Sequence, residues 1–364
     1  MNKSDLMIST LPIKPQKITN IGMMIAPTIM DYIGSTLEIE KNIGFNILHS
    51  YETKSESLDE YLNYVKTSGI NYDSIFVDKD YDNKLLEIVF NMIKSKHIVE
   101  KEKEIIRCSC GKVDMINSIN ENGKLYIYKD GKVFCKNCGQ ECIKIKEMCL
   151  VYNTGNISNN ISIAPIFLKK DIVEFENKFS NKEILVSKAR NTGYVLEINN
   201  RKYNIDVDFL WSNYFKIYKK HNQIFIASNH QLFNMFLMNN LANKTSDIKL
   251  TFIASPYLNV NLTEAKRQYE LRKLKEYKAL LLLYNLKWKN KNCAWSNSNT
   301  EYLSTSSDTR LINLYKSMIM SGREIISDEK DLDLYIYDIL NIDTNMQSNI
   351  KIMKQYYKEG RLWK

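Results

Sequence analysis

The sequence is poor in the two residues that most often interrupt regular structure. Its 364 positions include only five prolines and twelve glycines, which argues against long flexible linkers between domains. It also lacks any run of about 18 apolar residues, so no membrane-spanning segment is expected. A hydrophobic content of 44% and a charged content of 26% are typical of globular proteins. The length therefore predicts two or three folded domains with real hydrophobic cores.

Several motifs that would indicate a particular chemistry are also missing. The sequence has no Gly-x-Gly-x-x-Gly fingerprint, no Walker loop and no nucleophile elbow, which argues against the common dinucleotide, P-loop and serine-hydrolase sites. Cysteines number only seven and no export signal is recognisable, so we expect reduced thiols and a cytoplasmic protein. The net charge of +9 permits a polyanionic partner such as RNA, but a lysine-rich composition explains it equally well.

Four of the cysteines form two close pairs, Cys108-Ser-Cys110-Gly and Cys135-Lys-Asn-Cys138-Gly. Two thiolates this close can bind one face of a metal ion, and the glycine that follows lets the backbone turn around it. The pattern predicts a structural zinc site with four thiolate ligands and a short β-hairpin over residues 123–134. Cys142 is an alternative ligand, because the one-residue gap in the first pair is tight. Buried free thiols are the competing interpretation.

Hydrophobic periodicity predicts alternating strands and helices. Strands are expected at residues 5–10, 45–49, 184–186, 194–198, 223–227 and 249–253. Helices are expected at residues 23–39, 59–68, 82–95 and 231–241, and again from residue 263 towards the C-terminus. This alternation predicts an α/β fold with a parallel sheet that binds ligands at the carboxyl ends of its strands.

Several short segments follow one another in a distinctive order, although none is specific alone. They are Ser9-Thr-Leu11-Pro12, Asn20-Ile-Gly22-Met23, Gly44-Phe-Asn-Ile-Leu48, Leu185-Val-Ser-Lys-Ala-Arg190, Phe209-Leu-Trp211-Ser-Asn213 and Ile226-Ala-Ser-Asn229-His230-Gln-Leu-Phe233-Asn234. Over roughly residues 5–265 this order resembles the catalytic core of class I aminoacyl-tRNA synthetases, closest to methionyl-tRNA synthetase. Asn20 to Met23 resembles the His-Ile-Gly-His motif of that family, and Phe209 to Asn213 resembles its Val-Trp-Phe-Asp-Ala motif.

The resemblance implies a domain plan. The first half of a Rossmann-like core would occupy residues 1–100, and a zinc-ribbon connective insertion would occupy residues 101–150. The second half of the core would follow in residues 151–262. Residues 263–364 would form a helical region, which is short compared with the anticodon-binding domain of full synthetases in this group.

The departures from the family are concentrated at polar catalytic positions. Asn20 and Met23 stand where the family has two histidines that contact ATP phosphates, and a thioether cannot donate a hydrogen bond. Asn213 and Asn229 stand where the family has aspartates. No clear Lys-Met-Ser-Lys-Ser loop follows residue 253. Since the loss of one preorganised donor costs on the order of 3–4 kcal/mol of barrier, we expect a poor methionyl-tRNA synthetase.

Most candidate site residues follow from the same resemblance, whereas Glu52 is a candidate because it lies near the carboxyl end of the strand predicted at residues 45–49. Asn20, Asn229 and His230 are the catalytic candidates, although a lone histidine near apolar residues is more often structural. Trp211 is a ligand-binding candidate, for which core packing is the alternative. The full ligand-binding set is Leu11, Pro12, Gly22, Met23, Glu52, Trp211 and Asn213.

Three functions remain open at this point. The first is a divergent ligase or transferase that binds an amino acid, with or without ATP, and passes an aminoacyl group to a non-standard acceptor. That acceptor would be the acceptor end of a tRNA or a small molecule. The second is a non-catalytic paralogue that binds an amino acid or tRNA. The third is a divergent but functional aminoacyl-tRNA synthetase.

Overall fold

The computed structural model describes residues 3–15, 21–47, 55–110, 113–115, 126–157, 161–164, 168–188 and 194–255. The helices predicted beyond residue 263 lie outside these ranges, as do the candidate site residues Asn20 and Glu52. Gly22 and Asn229 are described by their backbone alone. No helix within the described ranges combines the length and the apolar character needed to cross a membrane.

The described residues form fourteen strands and six α-helices, numbered in chain order. The strands are β1 (Leu6–Thr10), β2 (Glu40–Phe45), β3 (Ser74–Val77), β4 (Ile98–Arg107), β5 (Val113–Met115), β6 (Tyr126–Lys129), β7 (Lys132–Cys135), β8 (Ile143–Asn153), β9 (Ser162–Ala164), β10 (Glu183–Leu185), β11 (Tyr194–Ile198), β12 (Arg201–Ile205), β13 (Asn222–Ser228) and β14 (Lys249–Ser255). The helices are α1 (Ile21–Leu37), α2 (Ser55–Thr67), α3 (Asp82–Lys94), α4 (Lys169–Phe179), α5 (Val207–Trp211) and α6 (Leu232–Thr245).

The central element is a six-stranded sheet in the order β3-β2-β1-β13-β14-β9, and every neighbouring pair in it is parallel. This confirms the predicted α/β fold with a parallel sheet. The strand expected at residues 45–49 was placed wrongly, because β2 runs from Glu40 to Phe45. The charged residues Glu40 and Lys41 at its half-buried start concealed the strand pattern, and only the later residues of β2 are fully buried.

Successive residues of the central strands pack on opposite faces of the sheet, as the pleat requires. Leu6 and Ile8 of β1 belong to an apolar cluster that includes side chains of α1 and α2. Met7 between them belongs to a second cluster that includes side chains of α3, α4, α5 and α6. The sheet is therefore the middle layer between two layers of helices, and both of its faces are buried.

Helix α1 contains a proline, and the defect it creates is repaired from another helix. Pro27 has no N–H to donate to the carbonyl of Met23, one turn earlier in α1. The hydroxyl of Tyr61 in α2 donates to that carbonyl at 2.9 Å instead. Tyr61 is fully buried, so this hydrogen bond joins α2 to the first turn of α1.

A second, antiparallel sheet has the order β10-β8-β4-β5. Its main feature is the β4–β8 ladder, which is paired from Ile98 opposite Tyr152 to Arg107 opposite Ile143. The sequence analysis missed this ladder, because the alternating glutamates and lysines of residues 100–104 carry little apolar signal. Strand β4 leads directly into Cys108 and β8 begins directly after Cys142, so the ladder connects the cysteine-containing segment to the rest of the chain.

The hairpin predicted between the two cysteine pairs is confirmed over the described residues. β6 and β7 pair antiparallel from Tyr126 opposite Cys135 to Lys129 opposite Lys132. The turn between them is Asp130-Gly131, with φ angles of 51° and 75°. Two consecutive residues at positive φ are typical of the tight turn that best fits the twist of a hairpin, and glycine adopts this conformation at no steric cost.

Candidate functional site

The sulfur atoms of the four predicted metal ligands lie close together. Those of Cys108, Cys110, Cys135 and Cys138 all lie within 4.8 Å of one another. The Cys108–Cys138 distance is 3.3 Å and the Cys110–Cys135 distance is 3.6 Å. A tetrahedral site with metal–sulfur distances of about 2.3 Å has sulfur–sulfur edges of about 3.8 Å. The four thiols are therefore arranged to ligate a single metal ion of the soft, thiolate-binding kind.

Backbone hydrogen bonds within the second cysteine pair hold this arrangement. The N–H of Cys135 donates to the carbonyl of Gln140 at 2.9 Å, and the N–H of Gly139 donates to the carbonyl of Cys135 at 2.8 Å. Gly139 has a φ of 73°, which a residue with a Cβ rarely adopts. The glycine after Cys138 thus has the role that the sequence predicts, since it closes the turn around the site.

The electrostatics of the cluster favour a thiolate at Cys108. At Cys138 a backbone hydrogen bond from Gln140 lowers the pKa, but the neighbouring thiols and burial outweigh it and raise the pKa to about 12. Burial by itself would raise the pKa of Cys108. Hydrogen bonds from the backbone N–H of Cys110 and from the neighbouring thiols outweigh burial and lower this pKa to about 6. A thiolate is the form that binds metal ions. Cys108 and Cys135 are buried while Cys110 and Cys138 are exposed, so an ion at this point would be reachable from solvent on one side.

The alternative ligand Cys142 lies beside this group but is not part of it. The mutually close thiols are the predicted four. Cys142 packs with Ile106, Tyr126 and Val133 under the hairpin, and its sulfur lies 3.8 Å from the carbonyl oxygen of Gln140. Burial, followed by the charge of Cys108, raises the pKa of Cys142 to about 12. Cys142 therefore acts as a protonated packing residue.

The second region of interest is the carboxyl edge of the parallel sheet, where β1 separates from its two neighbours. The N–H of Leu11 donates to the carbonyl of Ile226 in β13 at 2.9 Å, whereas the N–H of Ile13 donates to the carbonyl of Gly44 in β2 at 2.8 Å. A Cβ at Gly44 would lie 3.1 Å from the carbonyl oxygen of Thr10. Glycine at this position allows the chain after β1 to pass close to β2.

Two ligand-binding candidates belong to the same large apolar cluster, and one packs on the other face of the sheet. Leu11 and Trp211 are buried in the same apolar cluster, and Pro12 follows Leu11 directly. Met23 lies in the first turn of α1, where its side chain packs against the cluster on the opposite face of the sheet. Gly22 precedes it in the same helical turn.

The remaining candidates occupy different environments. Asn229 and His230 form a 3₁₀ turn directly after β13, and the side chain of His230 is exposed. Asn213 is fully buried, and its amide group donates to the carbonyl of Phe209 at 2.9 Å. Among the described residues, the side-chain oxygen of Asn213 has no hydrogen-bond partner.

The structure also contains buried phenol groups that the sequence alone did not reveal. The hydroxyls of Tyr194 and Tyr214 are buried and have no hydrogen-bond partner within the part of the chain that the structure describes. Tyr218, four residues after Tyr214, forms a 3.0 Å hydrogen bond with the hydroxyl of Ser9 in β1. The only available signal was the run of aromatic residues that follows Trp211, and such runs usually indicate core packing.

Known structures resemble this chain in fold, whereas no sequence comparison assigns it to a family. No family model matches the chain, and no curated protein matches it. A solved structure of Mycobacterium tuberculosis methionyl-tRNA synthetase in complex with methionyl-adenylate is similar, with a TM-score of 0.63 and 11% sequence identity. The similarity covers 98% of this chain and 84% of that one. The apo form of the same synthetase has a TM-score of 0.60 at 11% identity, over 98% of this chain and 82% of that one. The chain has a class I synthetase-like fold.

Proposed function

We propose that this protein is a divergent relative of methionyl-tRNA synthetase that binds an amino acid and passes an aminoacyl group to a non-standard acceptor. The observation that supports this proposal best is the strand order of the parallel sheet. The chain builds β2 and β3 on one side of β1, and β13 and β14 on the other. In open parallel sheets, ligands bind outside the carboxyl ends of the strands at this kind of switch point.

In this proposal the amino acid contacts the backbone at Leu11 and Pro12 and the side of Trp211. Asn20, Asn229 and His230 are the catalytic candidates, and Gly22, Met23, Glu52 and Asn213 contribute to ligand binding. ATP is the co-substrate if the amino acid is activated here. The acceptor is a tRNA acceptor end or a small molecule, and the protein acts in the cytoplasm.

The four cysteines bind a structural zinc ion in the same proposal, because thiolate sets of this size favour zinc. Residues 101–150 form the connective insertion that contains this ion, between core halves at residues 1–100 and 151–262. Residues 263–364 form a helical C-terminal region. The zinc would fix the insertion and take no part in the chemistry.

A non-catalytic amino-acid- or tRNA-binding protein is the second candidate. It is favoured by Met23, whose side chain packs among apolar residues and offers no hydrogen-bond donor to a phosphate. A functional synthetase would need other groups to stabilise charge on the transferring phosphoryl group.

ATP–pyrophosphate exchange with all twenty amino acids, run beside mass spectrometry of ligands that co-purify with the protein, tests these candidates. The proposal predicts a bound amino acid, or exchange with one of them that is weak in the absence of the true acceptor. A bound amino acid with no exchange and no transfer to any acceptor would support the second candidate. Strong methionine-dependent exchange would establish a functional synthetase and contradict the proposal.

A further inference from the structure

Each exposed thiol of the cysteine cluster lies beside a buried thiol of the other motif. Cys138 is exposed, and its sulfur lies 3.3 Å from the sulfur of buried Cys108. Cys110 is exposed, and its sulfur lies 3.6 Å from the sulfur of buried Cys135. Four thiols allow three different sets of two pairs. The short contacts favour one set, which links Cys108 with Cys138 and Cys110 with Cys135.

These contacts are short enough for disulfide bonds to form with little movement. A disulfide has a sulfur–sulfur distance of about 2.05 Å, so each pair has to close by only about 1.2–1.6 Å. One member of each pair is exposed, so its side chain has room to rotate towards its buried partner. Both disulfides therefore fit the existing course of the backbone.

The alternation of exposed and buried thiols suits oxidation by a hydroperoxide. Cysteines that respond to oxidants are accessible thiolates with a second cysteine beside them. Here Cys110 and Cys138 are the sulfurs that a peroxide reaches from solvent. Attack of such a thiolate on the peroxide gives a sulfenic acid. The buried thiolate of Cys135 or Cys108 then displaces its oxygen and forms the disulfide.

We propose that the cysteine cluster is a site of reversible oxidation, in which Cys108–Cys138 and Cys110–Cys135 disulfides replace the metal. With hydrogen peroxide the step is balanced. Four thiolates, two molecules of peroxide and four protons give two disulfides and four molecules of water. The four electrons pass from the sulfurs to the peroxide oxygens, and the metal ion is released. This inference rests on the zinc site of the proposed function.

The oxidised form should stay folded, because the two disulfides make the same connection as the metal. Each joins the segment that follows β4 to the hairpin of β6 and β7, across 30 residues in one case and 25 in the other. Cross-links over loops of this size restrict the unfolded chain and stabilise the folded one. A thiol reductant and zinc should therefore restore the original form.

Stepwise addition of hydrogen peroxide to the full-length, zinc-loaded protein tests the proposal. A chromogenic chelator measures the released zinc, and alkylation counts the remaining thiols. We expect about one zinc ion to be released for every two molecules of peroxide consumed, with the loss of four thiols. Cys149→Ser is the matched control, because Cys149 is a buried thiol outside the cluster. This variant should release zinc at the same ratio.

Peptide mapping identifies the disulfides. It is done in the Cys142→Ser variant, so that the peptide containing Cys138 has no other cysteine. Cleavage after Lys136 separates Cys135 from Cys138. Each of these two cysteines should then be linked to the peptide that contains the first cysteine pair. A disulfide between Cys135 and Cys138 would overturn the inference.

A second variant distinguishes the two members of the first pair. Cys138→Ser, made in the same background, should still form the disulfide between Cys110 and Cys135, and it should leave Cys108 free for alkylation. A Cys108–Cys135 or Cys108–Cys110 disulfide in this variant would contradict the proposed pairing. The readout is the disulfide itself, so it does not depend on whether the variant keeps its zinc.

The outcomes separate this inference from the proposed function. If the purified protein holds no zinc, the proposed zinc site is wrong, and the pairing is measured on the metal-free protein. If zinc is bound and peroxide releases it only as sulfinic acids form, the cluster is damaged irreversibly. The inference is then wrong, although the zinc site stands.

Discussion

The cysteine cluster and the carboxyl edge of the parallel sheet are assembled over very different distances along the chain. Residues 135–140 supply the backbone hydrogen bonds that shape the second cysteine pair. At the sheet edge, by contrast, Leu11 is bonded to Ile226, and Ser9 is bonded to Tyr218 across a separation of 209 residues. A site built from neighbouring residues keeps its geometry as long as a short motif is kept. A site built from distant segments can change its polar residues one by one while the backbone stays the same.

The largest effect that this comparison predicts is loss of the metal from a Cys135→Ser variant. One ligand fewer should reduce the bound zinc from about one equivalent to nearly none, because structural zinc sites of this kind contribute on the order of 10 kcal/mol or more. Elemental analysis measures the metal. The hairpin should unfold locally, whereas circular dichroism of the α/β core should change little.

Cys149→Ser is the matched control, because Cys149 is a buried thiol outside the cluster. Cys142→Ser should also keep the metal. Loss of zinc from the Cys142 variant would contradict the assignment of the four ligands, and global unfolding of Cys135→Ser would show that the two regions are not independent.

A smaller effect is expected at the first turn of α1. Tyr61→Phe would leave the carbonyl of Met23 without its donor, and the free energy of unfolding should fall by about 1–2 kcal/mol. Chemical denaturation measures this loss. Pro27→Ala restores an N–H that can bond to the same carbonyl, so Tyr61→Phe should cost clearly less in that background. Equal costs in both backgrounds would show that the hydroxyl does not compensate for the proline. The metal content should be unchanged throughout.

A still smaller effect is expected from Glu176 in α4. Its side chain is buried, one carboxylate oxygen has no partner among the described residues, and burial raises its pKa above the ordinary 4.5. As the pH rises above 4.5, this carboxyl ionises in the unfolded chain before it ionises in the folded one. The free energy of unfolding should therefore fall with rising pH until the folded pKa is passed.

Glu176→Gln removes this dependence, so the variant should be more stable than the original protein at pH 7 and similar to it at pH 4. Denaturation curves at the two pH values measure the difference. A variant that is less stable at pH 7 would show that the ionised carboxylate has a favourable partner.

The smallest expected effect concerns catalysis. Replacing both Asn20 and Met23 with histidine should not create ATP–pyrophosphate exchange. Asn213 and Asn229 would remain on their own segments, and the lysine-rich loop of the family would still be missing. Catalytic groups that act together do not restore activity when only some of them are replaced. The measurement is exchange with methionine. A gain of activity from these two histidines alone would mean that the other positions had not lost their function.

The parts of the molecule that could be predicted share a local cause. The cysteine hairpin is specified by motif spacing and by Asp130-Gly131, and β1, β13 and β14 of the parallel sheet are specified by short apolar runs. The β4–β8 ladder was missed because the residues in its middle are charged. They pair across the two strands in a register that neither segment reveals by itself. The buried hydroxyls of Tyr194 and Tyr214 were missed for a related reason, since only the fold decides which tyrosine hydroxyls are removed from solvent.

The position of β1 in the sheet has a consequence for synthesis of the chain. β1 lies between β2 and β13, and β2 follows it closely in the sequence. The first residue of β13 is Asn222. At ordinary elongation rates, the edge of β1 that pairs with β13 therefore stays unpaired for roughly 10–40 s after β1 has been made. During that time, an apolar strand edge emerging from the ribosome has no neighbour. Newly made chains should therefore need a chaperone to hold this edge apart until β13 arrives.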